Sequence, residues 1–147
     1  MRKTLLALIT MTIFMTGAAA LLAADSAVVK PQTTCPVSGE KIDKSVHVDF
    51  QGQRIYFCCD KCPAKFKADP EKYFAKIAAE GVTLENIQTS CPVSGEKLGE
   101  GDMGEPVAHA YQGRTVMFCC NSCVKKFDKD PAKYLAKLPG EQPALAK

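Results

Sequence analysis

The sequence predicts an α+β fold in which two small modules lie in tandem, each a β-hairpin followed by short helices. Three observations predict this class. The segment Cys-Pro-Val-Ser-Gly-Glu-Lys occurs twice without a difference. Each copy is followed by two short runs rich in β-branched and aromatic residues, which favour strands. Each second run leads on to an Asp-Pro pair, which is typical of a helix start.

The repeat extends well beyond the identical segments Cys35–Lys41 and Cys91–Lys97. Each segment is followed by a Gln-Gly pair, then by a Cys-Cys pair, and then by one more cysteine three positions later. The copies differ in length by five residues inserted around Gly99–Glu105, a Gly-rich stretch that indicates a longer loop. The chain is therefore a duplication of one four-cysteine unit.

These boundaries predict two modules, at residues 31–81 and 88–139. A short link passes through Thr83–Gln88, and residues 25–33 and 140–147 are expected to be loose ends. A module of about 50 residues buries little apolar surface, so it usually needs a metal, disulfides or a partner for stability. The two modules can also pack on each other.

Within the first module, Val46–Phe50 and Arg54–Phe57 are predicted to form the hairpin, and the second strand ends at Cys58. A helical pattern begins near Asp60. Asp69-Pro70 predicts an N-cap and the first position of a second helix, which ends near Gly81. The second module repeats these elements, and the aromatic residues of both are expected to form cores.

The first 24 residues have the layout of a secretory signal peptide. Arg2 and Lys3 precede an uncharged, mostly apolar run, and small residues favour cleavage after Ala20 or Ala24. The alternative is an uncleaved membrane anchor over residues 4–24, since about 20 apolar residues span a bilayer. Either way the rest of the chain is expected to be exported, to the periplasm or outside the cell.

The charge balance excludes nucleic acid as an expected partner. Loss of residues 1–24 removes Arg2 and Lys3 and no acidic residue, so the formal charge falls from +3 to +1. The remaining lysines alternate with acidic residues, which is typical of a solvated surface. Binding to phosphate backbones requires a basic stripe, and this chain has none.

All the cysteines lie in the part predicted to be exported, where thiols usually bond to metal or to each other. Cysteines gathered from a loop and from a strand-to-helix junction suit a soft metal ion. We therefore predict one zinc or copper ion per module. The candidate ligands are Cys35, Cys58, Cys59, Cys62, Cys91, Cys119, Cys120 and Cys123.

Two other uses of the cysteines stay open. Two disulfides per module would give a stapled interaction domain, although the vicinal cysteines would then each need a distant partner. Cys59-Asp60-Lys61-Cys62 also has the spacing of a dithiol redox motif, but no βαβ pattern precedes it. A thioredoxin-like oxidoreductase is therefore the weaker alternative.

The histidines and serines are not expected to be ligands. His47 lies three residues before Phe50, whereas His109 lies two before the equivalent Tyr111. On strands this slip of one residue points the two side chains to opposite faces. Ser38 and its counterpart Ser94 are expected to shape the turn.

The run from Tyr56 to Tyr73 resembles the YHS and TRASH-like domains, which are small treble-clef-type metal-binding modules found beside heavy-metal transporters and in metal sensors. The second module is similar. The resemblance implies heavy-metal binding by Cys58 and Cys62, and by Cys119 and Cys123 in the second copy.

The chain departs from the usual YHS pattern in two ways. The leading cysteine has moved to Cys35 and Cys91, which is consistent with TRASH-like spacing. Cys59 and Cys120 stand where the family usually has another residue, so the fourth ligand stays open.

The sequence holds no nucleophile–base pair, paired carboxylates or phosphate loop, so we expect no enzyme activity. We expect a protein for metal trafficking, buffering or sensing, whose partner is a metal transporter or another exported protein. A structural zinc ion in an interaction module is the alternative.

Overall fold

The second strand of each hairpin leads directly into the Cys-Cys pair of its module. A computed structural model describes residues 30–99 and 104–143 and confirms the α+β class. The predicted signal segment and most of the five-residue insertion lie outside these ranges. In chain order the elements are β1 (Lys30–Pro31), β2 (Asp43–Phe50), β3 (Gln53–Phe57), α1 (Cys62–Ala68), α2 (Pro70–Ala79), β4 (Val82–Thr83), β5 (Glu85–Asn86), β6 (Val107–Tyr111), β7 (Arg114–Phe118), α3 (Asn121–Phe127) and α4 (Pro131–Leu135).

Both predicted hairpins form, and both turn at the Gln-Gly pair. β2 pairs with β3, and β6 pairs with β7, in each case antiparallel. Gln51 and Gly52 have φ angles of 44° and 79°, and the second-module pair has 46° and 78°. Two successive positive φ angles are typical of the tight turn whose twist matches that of a hairpin. The glycine is needed here because it adopts positive φ without steric cost.

A phenylalanine on the first helix of each module is the centre of its core. Phe66 is fully buried and contacts Phe50, Phe57 and Phe74 edge-on or tilted. Its counterpart Phe127 is also fully buried, among strand and helix residues of the second module. Each module thus has its own apolar cluster, which holds the strand-to-helix junction in place.

Asp69 caps the second helix of module one, as the sequence predicts. Its carboxylate accepts a hydrogen bond from the backbone N–H of Lys72 at 3.4 Å, and Pro70 occupies the first helical position. Replacing Asp69 with alanine is expected to cost about 1 kcal/mol of stability, because the orphan N–H loses its acceptor. Urea unfolding followed by circular dichroism measures this loss. Asp69→Asn keeps an acceptor, so an equal loss in that variant would contradict the capping role.

Where the structure describes them, the segments expected to be a plain link and loose ends carry backbone pairing instead. β1 pairs with β4 in parallel, through Lys30 with Val82, and β5 pairs antiparallel with β3. After α4, the backbone N–H of Glu141 donates to Asp49 O at 2.7 Å, and Gln51 N donates to Glu141 O at 3.1 Å. Residues near both ends of the second module are therefore tied to the sheet of the first.

The two modules also pack directly on each other. The turn glycine of the second module, Gly113, lies against the backbone of Phe74 on α2, and Gly52 lies against Leu138 after α4. The hairpin turn of each module thus contacts the other module. Gln53 Nε2 crosses the interface and donates to Thr115 O at 2.9 Å.

Arg114 is the main polar side chain in this interface. It is only 1% exposed, and its guanidinium lies 3.8 Å from the ring centre of Phe74. Both terminal nitrogens donate to the carboxylate of Glu71 on α2. A stacked and ion-paired arginine joins two surfaces through packing as well as charge. The α2 helix of module one is therefore held by a strand residue of module two.

The described helices are short. None within residues 30–99 and 104–143 has the length and apolar character that a bilayer crossing requires.

Candidate metal centres

Three cysteines of the first module converge on one point. The Sγ atoms of Cys35, Cys58 and Cys62 all lie within 4.8 Å of one another, and those of Cys58 and Cys62 are 3.6 Å apart. We call this set the first triad. All its members are thiols in the structure, as is Cys59. The triad lies at one end of the hairpin, between the leading loop and α1.

Each corner of the first triad comes from a different element. Cys35 lies in a tight turn, in which Gly39 N donates to Cys35 O at 2.8 Å and Cys35 N donates to Glu40 O at 2.7 Å. Cys58 directly follows β3, and Cys62 begins α1. The turn is closed by Gly39 at a φ of 80°, which glycine adopts readily. The fold therefore brings together cysteines that are 23 residues apart in the sequence.

The second module repeats this triad despite the longer loop. The Sγ atoms of Cys91, Cys119 and Cys123 lie within 4.8 Å of one another. Those of Cys119 and Cys123 are again 3.6 Å apart. The turn is also repeated, because Gly95 N donates to Cys91 O at 2.8 Å. The three thiols of the second module thus come together despite the inserted residues.

The two remaining cysteines lie beside the triads rather than in them. Cys59 Sγ is 3.6 Å from Cys62 Sγ and 3.8 Å from Cys58 Sγ, but it does not belong to the set that includes Cys35. Cys59 is exposed, whereas Cys35 is buried. Cys120 has the same position in the second module, 3.6 Å from Cys123. Of the eight cysteines singled out in the sequence, six form the triads and two adjoin them.

The spacing of the sulfur atoms fits a thiolate-bound metal ion. A tetrahedral zinc ion with Zn–S bonds of about 2.3 Å places its sulfur ligands about 3.8 Å apart. The Cys58–Cys62 separation of 3.6 Å and the 4.8 Å limit on the other two pairs are close to this requirement. All the donors are sulfur atoms, which select soft or borderline cations such as Cu(I) and Zn²⁺ over Mg²⁺ or Ca²⁺. Small shifts of side chains would complete the fit.

The leading cysteine of each triad is the member most inclined to ionise. Burial raises the pKa of Cys35, but hydrogen bonds from Ser38 and the Cys58 backbone outweigh this effect and lower the pKa to about 7. Cys91 has the same balance, and its pKa is also about 7. By contrast, burial and the neighbouring thiols raise the pKa of Cys62. A site with one ready thiolate attracts a cation before its other thiols lose their protons.

Two serines contact the site thiols, which the sequence analysis did not predict. Ser38 Oγ lies 3.1 Å from Cys58 Sγ, and Ser94 Oγ lies 3.3 Å from Cys119 Sγ. Ser38 also shapes the turn, as expected, since its hydroxyl accepts a hydrogen bond from Glu40 N at 3.3 Å. The exact repetition of Cys-Pro-Val-Ser-Gly was the available signal for this second role. A hydroxyl here can orient a sulfur atom towards the centre of the triad.

The histidines lie on opposite faces of their hairpins, as predicted. His47 is exposed and lies beside Tyr56, with ring centres 5.9 Å apart. His109 faces the core ring of Phe127 at 5.9 Å, and its Nε2 lies 3.0 Å from a carboxylate oxygen of Asp128. Neither belongs to a triad.

The two centres differ in their access to solvent. In the first centre Cys58 is partly exposed and Cys59 is exposed. In the second, Cys119 is only 6% exposed and Cys120 is partly exposed. The chain between the last two cysteines also differs, with Asp-Lys in module one and Asn-Ser in module two. The cysteines of the first centre are therefore more exposed to solvent than those of the second.

Comparison with known proteins finds a match for the first module. A family model described as the YHS domain matches residues 34–76, which include Cys35, Cys58, Cys59 and Cys62. No curated protein matches the chain, and no solved structure does. The second module resembles the first in its repeated sequence and in the grouping of its three thiols. Together, the YHS match and the two cysteine clusters indicate metal binding.

Proposed function

We propose that this chain is an exported, non-catalytic protein that binds a thiophilic metal ion as cargo, one per module, for trafficking or buffering. The observation that carries this proposal is the pair of matching triads, in which three thiols converge twice in one chain. A single cluster can arise from core packing, because cysteine is among the most often buried residues. Two clusters with the same spacing, on duplicated loops, favour a selected site.

Zinc and copper are the candidate ions, since the donor set is sulfur only. The exposure of Cys58 and Cys59 in the first centre favours cargo, because an ion that must be handed on needs a route for an incoming ligand. The signal-like composition of residues 1–24 supports the export that we propose. An exported metal transporter, or another exported metal-binding protein, is the partner that this role requires.

A structural zinc ion is the second candidate, and it is favoured for module two. Cys91, Cys119 and Cys123 are all buried there. Closed sites with several thiolates usually contribute to folding rather than to transfer. The two modules can therefore hold metal for different purposes, and the rate at which each ion leaves distinguishes them.

Native mass spectrometry of the protein purified from its export compartment, before and after treatment with a chelator, tests the proposal. We expect two metal ions that are lost on chelation, and the mass difference identifies the element. Removal of the ions should also lower the melting temperature, because an ion bound only to the folded state stabilises that state. A metal-free mass in which the cysteines are paired would instead support the disulfide-stapled alternative. Reduction of an insulin disulfide by the metal-free protein would support a dithiol oxidoreductase.

A further inference from the structure

Each module contains two triangles of sulfur atoms that share an edge. The shared edge is Cys58–Cys62, at 3.6 Å. The inner triangle is completed by Cys35, which is 1% exposed. The outer triangle is completed by Cys59, at 3.6 Å and 3.8 Å from the two shared sulfurs. Cys35 is buried and Cys59 is exposed, so the inner triangle includes a sulfur shielded from solvent and the outer triangle includes one that solvent reaches.

The outer triangle forms in both modules, on the same backbone hydrogen bond, although the residues between the two cysteines differ. Cys62 N donates to Cys59 O at 3.2 Å, and Cys123 N donates to Cys120 O at 3.1 Å. The sulfur separations to Cys120 are 3.8 Å and 3.6 Å, equal to those at Cys59. The same arrangement forms even though the two residues between the cysteines differ between the modules.

The buried and the exposed thiol approach the same edge, but only the buried one belongs to the set of three sulfurs within 4.8 Å. A tetrahedral zinc ion needs each pair of its sulfur ligands to lie about 3.8 Å apart. Cys35 and Cys59 do not belong to one set of sulfurs within 4.8 Å, although both approach the shared edge. The exposed thiol thus lies beside the same two sulfurs as the buried one, where it can take the place of the buried one as the third ligand.

We propose that Cys59, and Cys120 in the second module, are exchange thiols through which bound metal passes between the buried triad and the surface. This inference rests on the proposed metal-binding function. In the exchange, a bond from Cys59 Sγ to the ion forms and the bond from Cys35 Sγ breaks, while Cys58 and Cys62 stay bound. The proton that Cys59 releases is balanced by the one that Cys35 takes up, directly or through water. No change of oxidation state is involved, and an acceptor thiolate can then approach the exposed triangle.

The two centres differ in solvent access, so we expect them to release metal at different rates. The outer triangle of module one is reachable because Cys59 is exposed and Cys58 partly exposed. In module two the equivalent Cys119 is buried. Module one is therefore the faster donor, and module two holds its ion longer.

Transfer of zinc from the loaded full-length protein to a chromophoric chelator, followed by stopped-flow absorbance, tests the exchange role. The wild-type trace should have a fast and a slow phase, one per module. Cys59→Ser should still bind two zinc ions, but its fast phase should slow by about tenfold or more, as expected when a bond-making step is lost from the barrier. The matched variant Cys120→Ser should slow only the other phase.

Two results would overturn the inference. Loss of one zinc ion from Cys59→Ser at equilibrium would make Cys59 a necessary ligand instead of an exchange thiol. An unchanged transfer rate with full loading would make it a bystander. Both results leave the proposed metal-binding function intact, whereas a wild-type chain that binds no zinc or copper would remove that function and this inference together.

Discussion

Replacing Cys58 and Cys62 together with serine is expected to abolish metal binding in module one and to leave module two loaded. These two thiols form the edge that both triangles share, so their loss leaves each triangle with a single sulfur. The serine hydroxyl is nearly isosteric but is a poor ligand for soft metals. Native mass spectrometry should detect one ion per chain instead of two.

The second module supplies the matched control for this experiment. Cys119→Ser with Cys123→Ser removes the equivalent edge and should leave only the ion of module one. The two double variants should therefore bind one ion each, and the combination of all four changes should bind none. Unchanged metal stoichiometry in the first double variant would refute the assignment of the first triad as a metal site.

Replacing Gly113 with alanine is expected to destabilise the protein by about 3 kcal/mol or more, the scale reached when overpacking is added to backbone strain. Gly113 has a φ of 78°, and an added Cβ would overlap the carbonyl oxygen of Phe74 and lie 2.8 Å from its carbonyl carbon. A backbone atom cannot turn away as a side chain does. The hairpin turn of module two would then have to separate from α2. Urea unfolding of the metal-free chain measures the loss.

Gly52 is the control for this prediction, since it occupies the equivalent turn of module one with a φ of 79°. A Cβ there would lie 3.6 Å from Leu138 atoms, which is ordinary van der Waals contact. Gly52→Ala should therefore cost only the conformational penalty, about 1–2 kcal/mol. If the two alanine variants were equally unstable, the close contact between the modules at Gly113 would not be a determinant of stability.

The sequence predicts well those features that repeat. The hairpins, the caps at Asp69 and Asp130 and the grouping of the cysteines all follow from local patterns that occur twice. The opposite orientation of His47 and His109 also follows, because the side chains of a strand alternate between its faces. Duplication acts here as an internal comparison, which separates the shared chemistry from the variable surface.

The features that the sequence does not reveal are those that join the modules. Arg114 stands where module one has Gln53, so the repeat gives no signal for its burial. Its partner Glu71 lies 43 positions away, on a helix that carries other charged residues, so nothing in the sequence marks it out. The short strands of the link have only two residues each, too few for a periodic pattern. Tertiary pairing decides such segments, and local propensity does not.

The return of the chain end to the first hairpin has a consequence for the order of folding. Glu141 completes the backbone pairing beside Asp49, and that pairing closes a loop of about 90 residues, so it forms late and contributes little to early folding. Synthesis begins at the N-terminus, so the cysteines of the first module are available before the residues that later cover its sheet have been made. During that interval its thiols and its uncovered strand edge are exposed to oxidation and to wrong pairing. Early capture of a metal ion would protect the nascent module, so that the cargo would act as a folding template before it is carried.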